Sequence, residues 1–101
     1  MIHVIASISL KPGCRERWLA VFKGNTAAVL AEDGCHEYRA TVDLPSGLPP
    51  QKLDADLVTL IEKWSSLEAL KKHLAAPHMA VYREKVKDLV AGTAIKVLQD
   101  S

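Results

Sequence analysis

The sequence predicts an α+β fold of the ferredoxin-like type, with the element order βαββαβ and a break in the second helix. Four segments alternate between two sets of residues with a period of two, which is typical of strands. The intervals after the first and third segments carry apolar residues at helical spacing. Two right-handed crossovers around a central hairpin then give an antiparallel sheet with the helices on one face.

The composition indicates a single globular domain, residues 1–101. Thirteen basic residues against twelve acidic ones leave a net charge of +1, so we expect no binding to nucleic acid. No apolar run approaches the roughly 20 residues that cross a bilayer, so we expect no membrane association. The N-terminal segment lacks the charged region of a signal peptide. We therefore predict a cytoplasmic protein.

The first two elements are a strand and a long helix. Ile2–Leu10 alternates cleanly and predicts the strand. Pro12 fixes φ for a helix start, and Gly34 ends a helix that we predict over residues 12–32. The apolar stripe of this helix comprises Trp18, Leu19, Phe22, Thr26, Val29 and Leu30.

The central hairpin has a long connection. Cys35–Val42 predicts the second strand and Leu57–Trp64 the third. Residues 43–56 between them contain three prolines and a glycine, two of the prolines adjacent, so this segment cannot be a central strand. Connections of this length often form lids or oligomer contacts.

The second helix is interrupted by proline. Ser65 and Glu68 match a capping box, with Ser65 as the N-cap of a short helix. Pro77 disfavours the helical conformation at the preceding residue and so breaks the helix. A new helix over residues 77–91 and a last strand over residues 93–98 follow. The buried stripe of the short helix should be Leu67, Leu70 and Leu74.

The strands suggest a second copy of the chain. The first, third and fourth strands carry apolar residues on both faces, unlike a sheet with one face in water. Helices in this fold cover only one face, so something else must cover the other. We expect a homodimer in which two sheets pack face to face.

Candidate chemistry concentrates in residues 58–82. Glu62 and Trp64 alternate along one strand and therefore share a face. His73 lies at the end of its helix, where the helix dipole favours the protonated ring, and His78 lies at the start of the next, where it favours the neutral ring. If Glu62 faces a pocket, it is a base or orients a histidine. If it faces the dimer seam, it pairs with a basic residue of the other copy.

Three stretches together resemble a known family. VIASISLKPG (residues 4–13), EDGCHEY (residues 32–38) and LIEKWSSLEALKKHLAAPHMAVY (residues 60–82) resemble the antibiotic biosynthesis monooxygenase superfamily, and within it most closely the quinol monooxygenases. The most specific part is E-x-W followed by H-x-x-x-P-H. The resemblance covers the whole chain and implies a dimeric α+β barrel with a pocket between helices and sheet. It also implies oxidation of a quinol or polycyclic phenol by O2 without metal, flavin or haem.

Such chemistry requires a flat apolar site and a group that removes a proton. A neutral His78 could accept the substrate proton, His73 could donate to or orient an oxygen, and Glu62 is the third catalytic candidate. Each aromatic candidate could equally be a core residue. The predicted substrate-binding residues are Trp64, Tyr38, Tyr82, Phe22 and His36. The spacing of the two catalytic histidines is not that of a metal site, so we expect no metal.

Other branches of the superfamily suggest alternatives. Haem-degrading members pair a first-strand asparagine with a third-strand tryptophan and a histidine. Trp64 fits that tryptophan, but Ser7 stands where the asparagine would be, which argues against haem degradation. Another branch isomerises a phosphorylated quorum-sensing sugar derivative and shares the H-x-x-x-P-H stretch. A third possibility is a non-catalytic stress-response dimer that keeps only the fold.

Overall fold

The computed structural model describes residues 1–101 and confirms the ferredoxin-like α+β architecture with a broken second helix. The residues between the second and third strands form an irregular segment, as their prolines predict. No helix has both the length and the apolar character needed to cross a bilayer. The elements are β1 (Ile2–Leu10), α1 (Arg15–Leu30), β2 (Cys35–Val42), β3 (Leu57–Trp64), α2 (Leu67–Ala75), α3 (Pro77–Val86) and β4 (Val90–Gln99).

The four strands form one antiparallel sheet in the order β2-β3-β1-β4. In its centre Ala6 of β1 lies opposite Leu60 of β3 on one side and Ile95 of β4 on the other. Since directly opposed residues project to the same face, this pairing identifies which side chains of the three strands share a face. The two edges are β2 and β4.

The helices cover the face that carries Glu62 and Trp64. Both side chains are buried, as are Val4 and Tyr38, the residues paired with Glu62 on the neighbouring strands. This answers the question that the strand pattern left open, because Glu62 and Trp64 point toward the helices. The core that they join consists of Val4, Ala6, Ile8, Leu10, Trp18, Phe22, Val29, Tyr38, Val58, Leu60, Trp64, Leu70, Met79, Tyr82 and Val86.

Three helix boundaries differ from the prediction, one of them the end of the first helix, which lies at Leu30 rather than at residue 32. The first helix begins at Arg15 rather than at residue 12, because the chain turns at Gly13, where φ is +78°. The last helix ends at Val86 rather than at residue 91, and the backbone N–H of Leu89 donates to the carbonyl of Val86 in the turn that follows. The last strand accordingly starts earlier than predicted, at Val90.

The N-cap of α2 is one residue later than predicted. The hydroxyl of Ser66 accepts a hydrogen bond from the backbone N–H of Ala69 at 3.1 Å, and its own backbone is extended. The hydroxyl of Ser65 instead lies 2.7 Å from the Nε2 atom of His36. The capping box between Ser65 and Glu68 is therefore wrong, since the hydroxyl that it needed is engaged across the sheet end.

The buried face of α2 also differs from the prediction. Leu70 and His73 are buried, whereas Leu67 and Leu74 remain 45% and 44% exposed. The spacing of the three leucines predicted a stripe of leucines on the buried face. The face that α2 turns toward the core instead carries Leu70 and the imidazole of His73. As a result, His73 lines the cavity between the helices and the sheet.

Candidate active site

A cavity of about 440 Å³ lies between the helices and the sheet, and we call it the main cavity. Every helix and every strand contributes at least one residue to its wall. Twelve of the eighteen lining residues are hydrophobic, so the cavity suits an apolar ligand. Its volume falls in the range of about 300–1,000 Å³ that is typical of small-molecule sites.

One side of the main cavity is aromatic. The ring of Phe22 stacks on Trp18 with centroids 5.2 Å apart and on Tyr38 with centroids 5.0 Å apart. Tyr82 meets Trp18 and Phe22 edge to face. Trp18, Tyr38 and Tyr82 line the cavity, whereas Phe22 is buried between Trp18 and Tyr38. The result is a wall of closely packed aromatic rings, with Tyr82 set across the stack.

His73 is held at the cavity wall by a carboxylate. Its Nδ1 atom lies 2.7 Å from Oε2 of Glu32, and its side chain is 2% exposed. Its ring packs against Trp64 with centroids 4.6 Å apart and edge to face against Tyr38 at 5.4 Å. Since Glu32 engages Nδ1, Nε2 is the ring nitrogen left for a ligand. A base oriented in this way by a carboxylate is a recurring arrangement for proton transfer.

Glu62 is a buried carboxyl in the same wall. The indole N–H of Trp64 donates to its Oε1 atom at 3.0 Å, and the residue is 5% exposed. Burial raises the pKa of Glu62 above its usual value, although the Trp64 hydrogen bond and the charge of His73 act in the opposite direction. The negative charge of Glu32 adds to the increase. Glu62 is therefore more easily protonated than an exposed carboxyl.

The two tyrosines are neutral hydrogen-bonding groups. Burial raises the pKa of both Tyr38 and Tyr82 well above the ordinary range, and the charge of Glu62 raises both further. Their hydroxyls consequently stay protonated and can donate to or accept from a ligand.

His78 lies on the other side of Glu32. Its Nε2 atom is 3.7 Å from Oε1 of the carboxylate whose other oxygen engages His73. It lines a second cavity of about 350 Å³, together with Asn25 and Lys85. The two histidines thus share one carboxylate, but only His73 reaches the main cavity.

The structure separates the eight predicted site residues into groups. Glu62, His73, Tyr38 and Tyr82 line the main cavity. Trp64 and Phe22 are buried behind its wall. His78 lines the second cavity, and His36 is exposed at the sheet end beside Ser65.

Two residues that sequence reasoning did not select contribute to the site. Glu32 orients His73 across a separation of 41 positions, so no local spacing could reveal it. Trp18 appeared only as a member of a buried stripe, and that pattern does not distinguish a core residue from a cavity wall. Two cations, Arg83 and Lys87, also line the cavity. They were missed because they are exposed on α3 and at its C-terminal cap.

Comparison with known proteins agrees with this fold. A ferredoxin-like sheet with an apolar cavity beneath its helices defines a class of small α+β proteins. The family model described as antibiotic biosynthesis monooxygenase matches residues 1–85. The chain belongs to this family.

Individual relatives extend the similarity over the whole chain. The chain is 39% identical over 101 residues to the Escherichia coli (strain K12) protein named probable quinol monooxygenase YgiN, covering 98% of this chain and 97% of the relative. The crystal structure of PA3566 from Pseudomonas aeruginosa superposes with a TM-score of 0.82 at 25% identity, covering 99% of this chain and 93% of that one. The structure of Rv0793 from Mycobacterium tuberculosis gives 0.81 at 28% identity, with coverage of 99% and 94%.

Proposed function

We propose that the protein is a monooxygenase that oxidises a quinol or polycyclic phenol with O2. The observation that carries this proposal is the imidazole of His73, held through Nδ1 by Glu32 in the wall of an apolar cavity. The name of the relative from Escherichia coli, a probable quinol monooxygenase, supports the same substrate class.

Binding uses the apolar cavity and its aromatic wall. A flat ring system of two or three fused rings suits the volume of about 440 Å³. Trp18, Tyr38 and Tyr82 offer faces and edges for ring contact. Water is displaced from an apolar site of this kind, which protects a radical or peroxide intermediate from side reactions.

Proton removal is the role of His73. Its Nε2 atom takes the proton of a substrate hydroxyl, and the carboxylate of Glu32 stabilises the resulting imidazolium through Nδ1–H. Because His73 is almost fully buried, this interaction is little weakened by solvent. Deprotonation makes the ring electron-rich enough to react with O2.

Oxygenation of a quinol with a ring C–H balances with O2 alone. The deprotonated quinol passes one electron to O2, which gives a semiquinone radical and superoxide. They combine at the ring carbon that carries hydrogen, and the imidazolium protonates the peroxide. Loss of the C–H proton then breaks the O–O bond. One oxygen remains as a carbonyl and the other leaves as hydroxide, so the products are a hydroxyquinone and one water.

Glu62 assists the departure of hydroxide. Burial raises the pKa of its carboxyl, which favours the neutral acid that can supply a proton to the leaving oxygen. The hydrogen bond from Trp64 fixes the orientation of the carboxyl. The proton lost from the ring carbon restores the neutral acid, so Glu62 ends the cycle as it began.

Oxygen uptake with reduced naphthoquinones tests the proposal. We expect one O2 consumed per quinol, and one labelled oxygen in the hydroxyquinone when ¹⁸O2 is supplied. His73→Gln should lower kcat by about 10²- to 10⁴-fold. His3→Gln is the control, since His3 pairs with exposed Asp100 away from the cavity. No uptake across a panel of quinols would refute the proposal and favour a non-catalytic dimer.

Cofactor independence belongs to the same proposal. We expect turnover by the purified protein to persist in the presence of a chelator, and its absorption spectrum to lack flavin and haem bands. Activity that required added metal, flavin or haem would contradict this part of the proposal while leaving the monooxygenase reaction in place.

The proposal includes a homodimer. Ile5 of β1 lies opposite Ile61 of β3 on the face that the helices leave open, and both are only partly buried. Leu98 of β4 pairs with His3 on the same face and is 44% exposed. A second copy whose sheet packed on this face would cover these side chains. Sedimentation of the wild type should give a dimer, and Leu98→Asp should shift it toward monomer. A monomeric wild type at micromolar concentration would contradict the dimer.

We place the reaction in the cytoplasm. Cys14 and Cys35 are both unpaired, as expected in a compartment that keeps thiols reduced. Fractionation of cells that produce the natural protein checks this location.

An isomerase of a phosphorylated sugar derivative is the second candidate. Its phosphate needs a cationic site, and Arg83 and Lys87 both line the main cavity. Each already has a partner, because Arg83 donates to the carbonyl of Leu74 at 3.1 Å and Lys87 to Glu84 at 2.6 Å. The test is whether inorganic phosphate competes with a reduced naphthoquinone for the main cavity. Competition that is present in the wild type and absent in Arg83→Gln would favour the isomerase. Absence of competition would favour the quinol reaction.

A further inference from the structure

The indole of Trp18 has an unused hydrogen-bond donor. Its side chain is fully buried and lines the main cavity, and its Nε1–H finds no acceptor in the protein. The other tryptophan differs, because the N–H of Trp64 donates to Glu62 at 3.0 Å. A buried donor without a partner is costly, and most such groups in proteins are satisfied. The exception at a cavity wall indicates an acceptor that arrives with a ligand.

The donor and the base occupy different points of the same cavity. The two rings do not contact each other directly, because Trp18 contacts Phe22, Phe22 contacts Tyr38 and Tyr38 contacts His73, with centroids 5.2, 5.0 and 5.4 Å apart. A ligand that extends along this row of rings can place one oxygen at His73 and another at Trp18.

We propose that Trp18 is a substrate-positioning residue that donates to a second oxygen of the substrate. The inference rests on the proposed function and narrows it, because the preferred substrates then carry two oxygens across a fused ring system. A simple phenol with one hydroxyl could satisfy His73 or Trp18 but not both. Since the Trp18 nitrogen is closed to water in the free protein, binding must shift the indole edge toward the ligand.

The indole N–H resonances of the protein test this contact directly. The chain has two tryptophans, so a ¹⁵N-labelled sample gives two indole signals, which Trp18→Phe or Trp64→Phe assigns. We expect 1,4-naphthoquinone to move the Trp18 proton signal downfield, as a new hydrogen bond does. Naphthalene has no acceptor and should not produce that shift. An identical response of the Trp18 signal to both ligands would overturn the inference.

Ligand affinities provide a second, independent measurement. Trp18→Phe keeps an aromatic ring and removes only the N–H and part of the ring area. We expect it to weaken 1,4-naphthoquinone binding about tenfold and naphthalene binding by less than about twofold. Equal weakening of both ligands would show that Trp18 acts only through packing. Circular dichroism of the variant checks that it folds. The indole N–H measurement on the wild-type protein tests the contact even if the variant does not fold.

These experiments separate the inference from the proposed reaction. Naphthoquinone is already oxidised and cannot reduce O2, so its binding is measured without turnover. Suppose that the protein consumes oxygen but its Trp18 signal responds in the same way to 1,4-naphthoquinone and to naphthalene. This result would overturn the role of Trp18 and leave the monooxygenase proposal standing. An acceptor-dependent shift without oxygen uptake would support the contact and refute the reaction.

Discussion

The contact between Glu32 and His73 makes the sharpest prediction about catalysis. Glu32→Gln keeps the size of the side chain and removes the charge that stabilises the imidazolium. The contact is short, at 2.7 Å, and its two side chains are 18% and 2% exposed, so solvent screens it little. A hydrogen bond to a charged group is worth about 1.5–3 kcal/mol. Since 1.36 kcal/mol is tenfold in rate, we expect kcat to fall about 10- to 150-fold.

Steady-state oxygen uptake measures this effect. KM should change little, because Glu32 does not line the cavity and the charge that it stabilises develops only after proton transfer. Asp33→Asn is the matched control. Asp33 is the next residue along the chain, its side chain is exposed, and the substitution removes the same negative charge. Unchanged kcat in a folded Glu32→Gln protein, or an equal loss in the control, would refute the assignment of Glu32 as the residue that orients His73.

The remaining predictions concern stability, measured by urea unfolding. Gly34→Ala should cost about 2–4 kcal/mol, because φ is +85° and the new Cβ would lie 2.8 Å from that of Ala69; Gly13→Ala, at φ +78° with open space around it, should cost less. Burial raises the pKa of Glu62 in the folded state, so its contribution to stability is present below the ordinary carboxyl pKa and is lost as the pH rises through the raised value. Glu62→Gln should therefore gain stability relative to wild type between pH 4 and pH 8, and a constant difference across that range would contradict the assignment. Ser66→Ala removes the α2 N-cap and should cost about 1 kcal/mol, whereas no loss would mean that the cap is replaced by solvent.

Much of the fold was predictable because strands and helices leave different periods in a sequence. The spans Ile2–Leu10, Cys35–Val42 and Leu57–Trp64 were all correct, since alternation is a local property. The break at Pro77 was also correct, because proline acts through its own ring and the preceding residue. Helix ends were less predictable. They depend on where the chain must turn to rejoin the sheet, as at Gly13.

The candidate site was predictable only in part. Glu62 and His73 were identified by residue type and by the resemblance to a family, and both line the main cavity. His78 was treated as their equal, but it approaches the other oxygen of Glu32 and lines the second cavity. Local spacing cannot distinguish these outcomes, because the direction of a helical side chain into a cavity depends on the elements packed against it.

The sequence by itself determined the order of the elements, the break in the second helix and the pairing of Glu62 with Trp64 on one face. These are consequences of backbone periodicity and proline geometry, which act over a few residues. Only the tertiary structure decided which face the helices cover, and that face carries the candidate site. It alone joined Glu32 to His73 and left the N–H of Trp18 without a partner beside the cavity. Such contacts between distant residues arise from packing, and no local pattern encodes them.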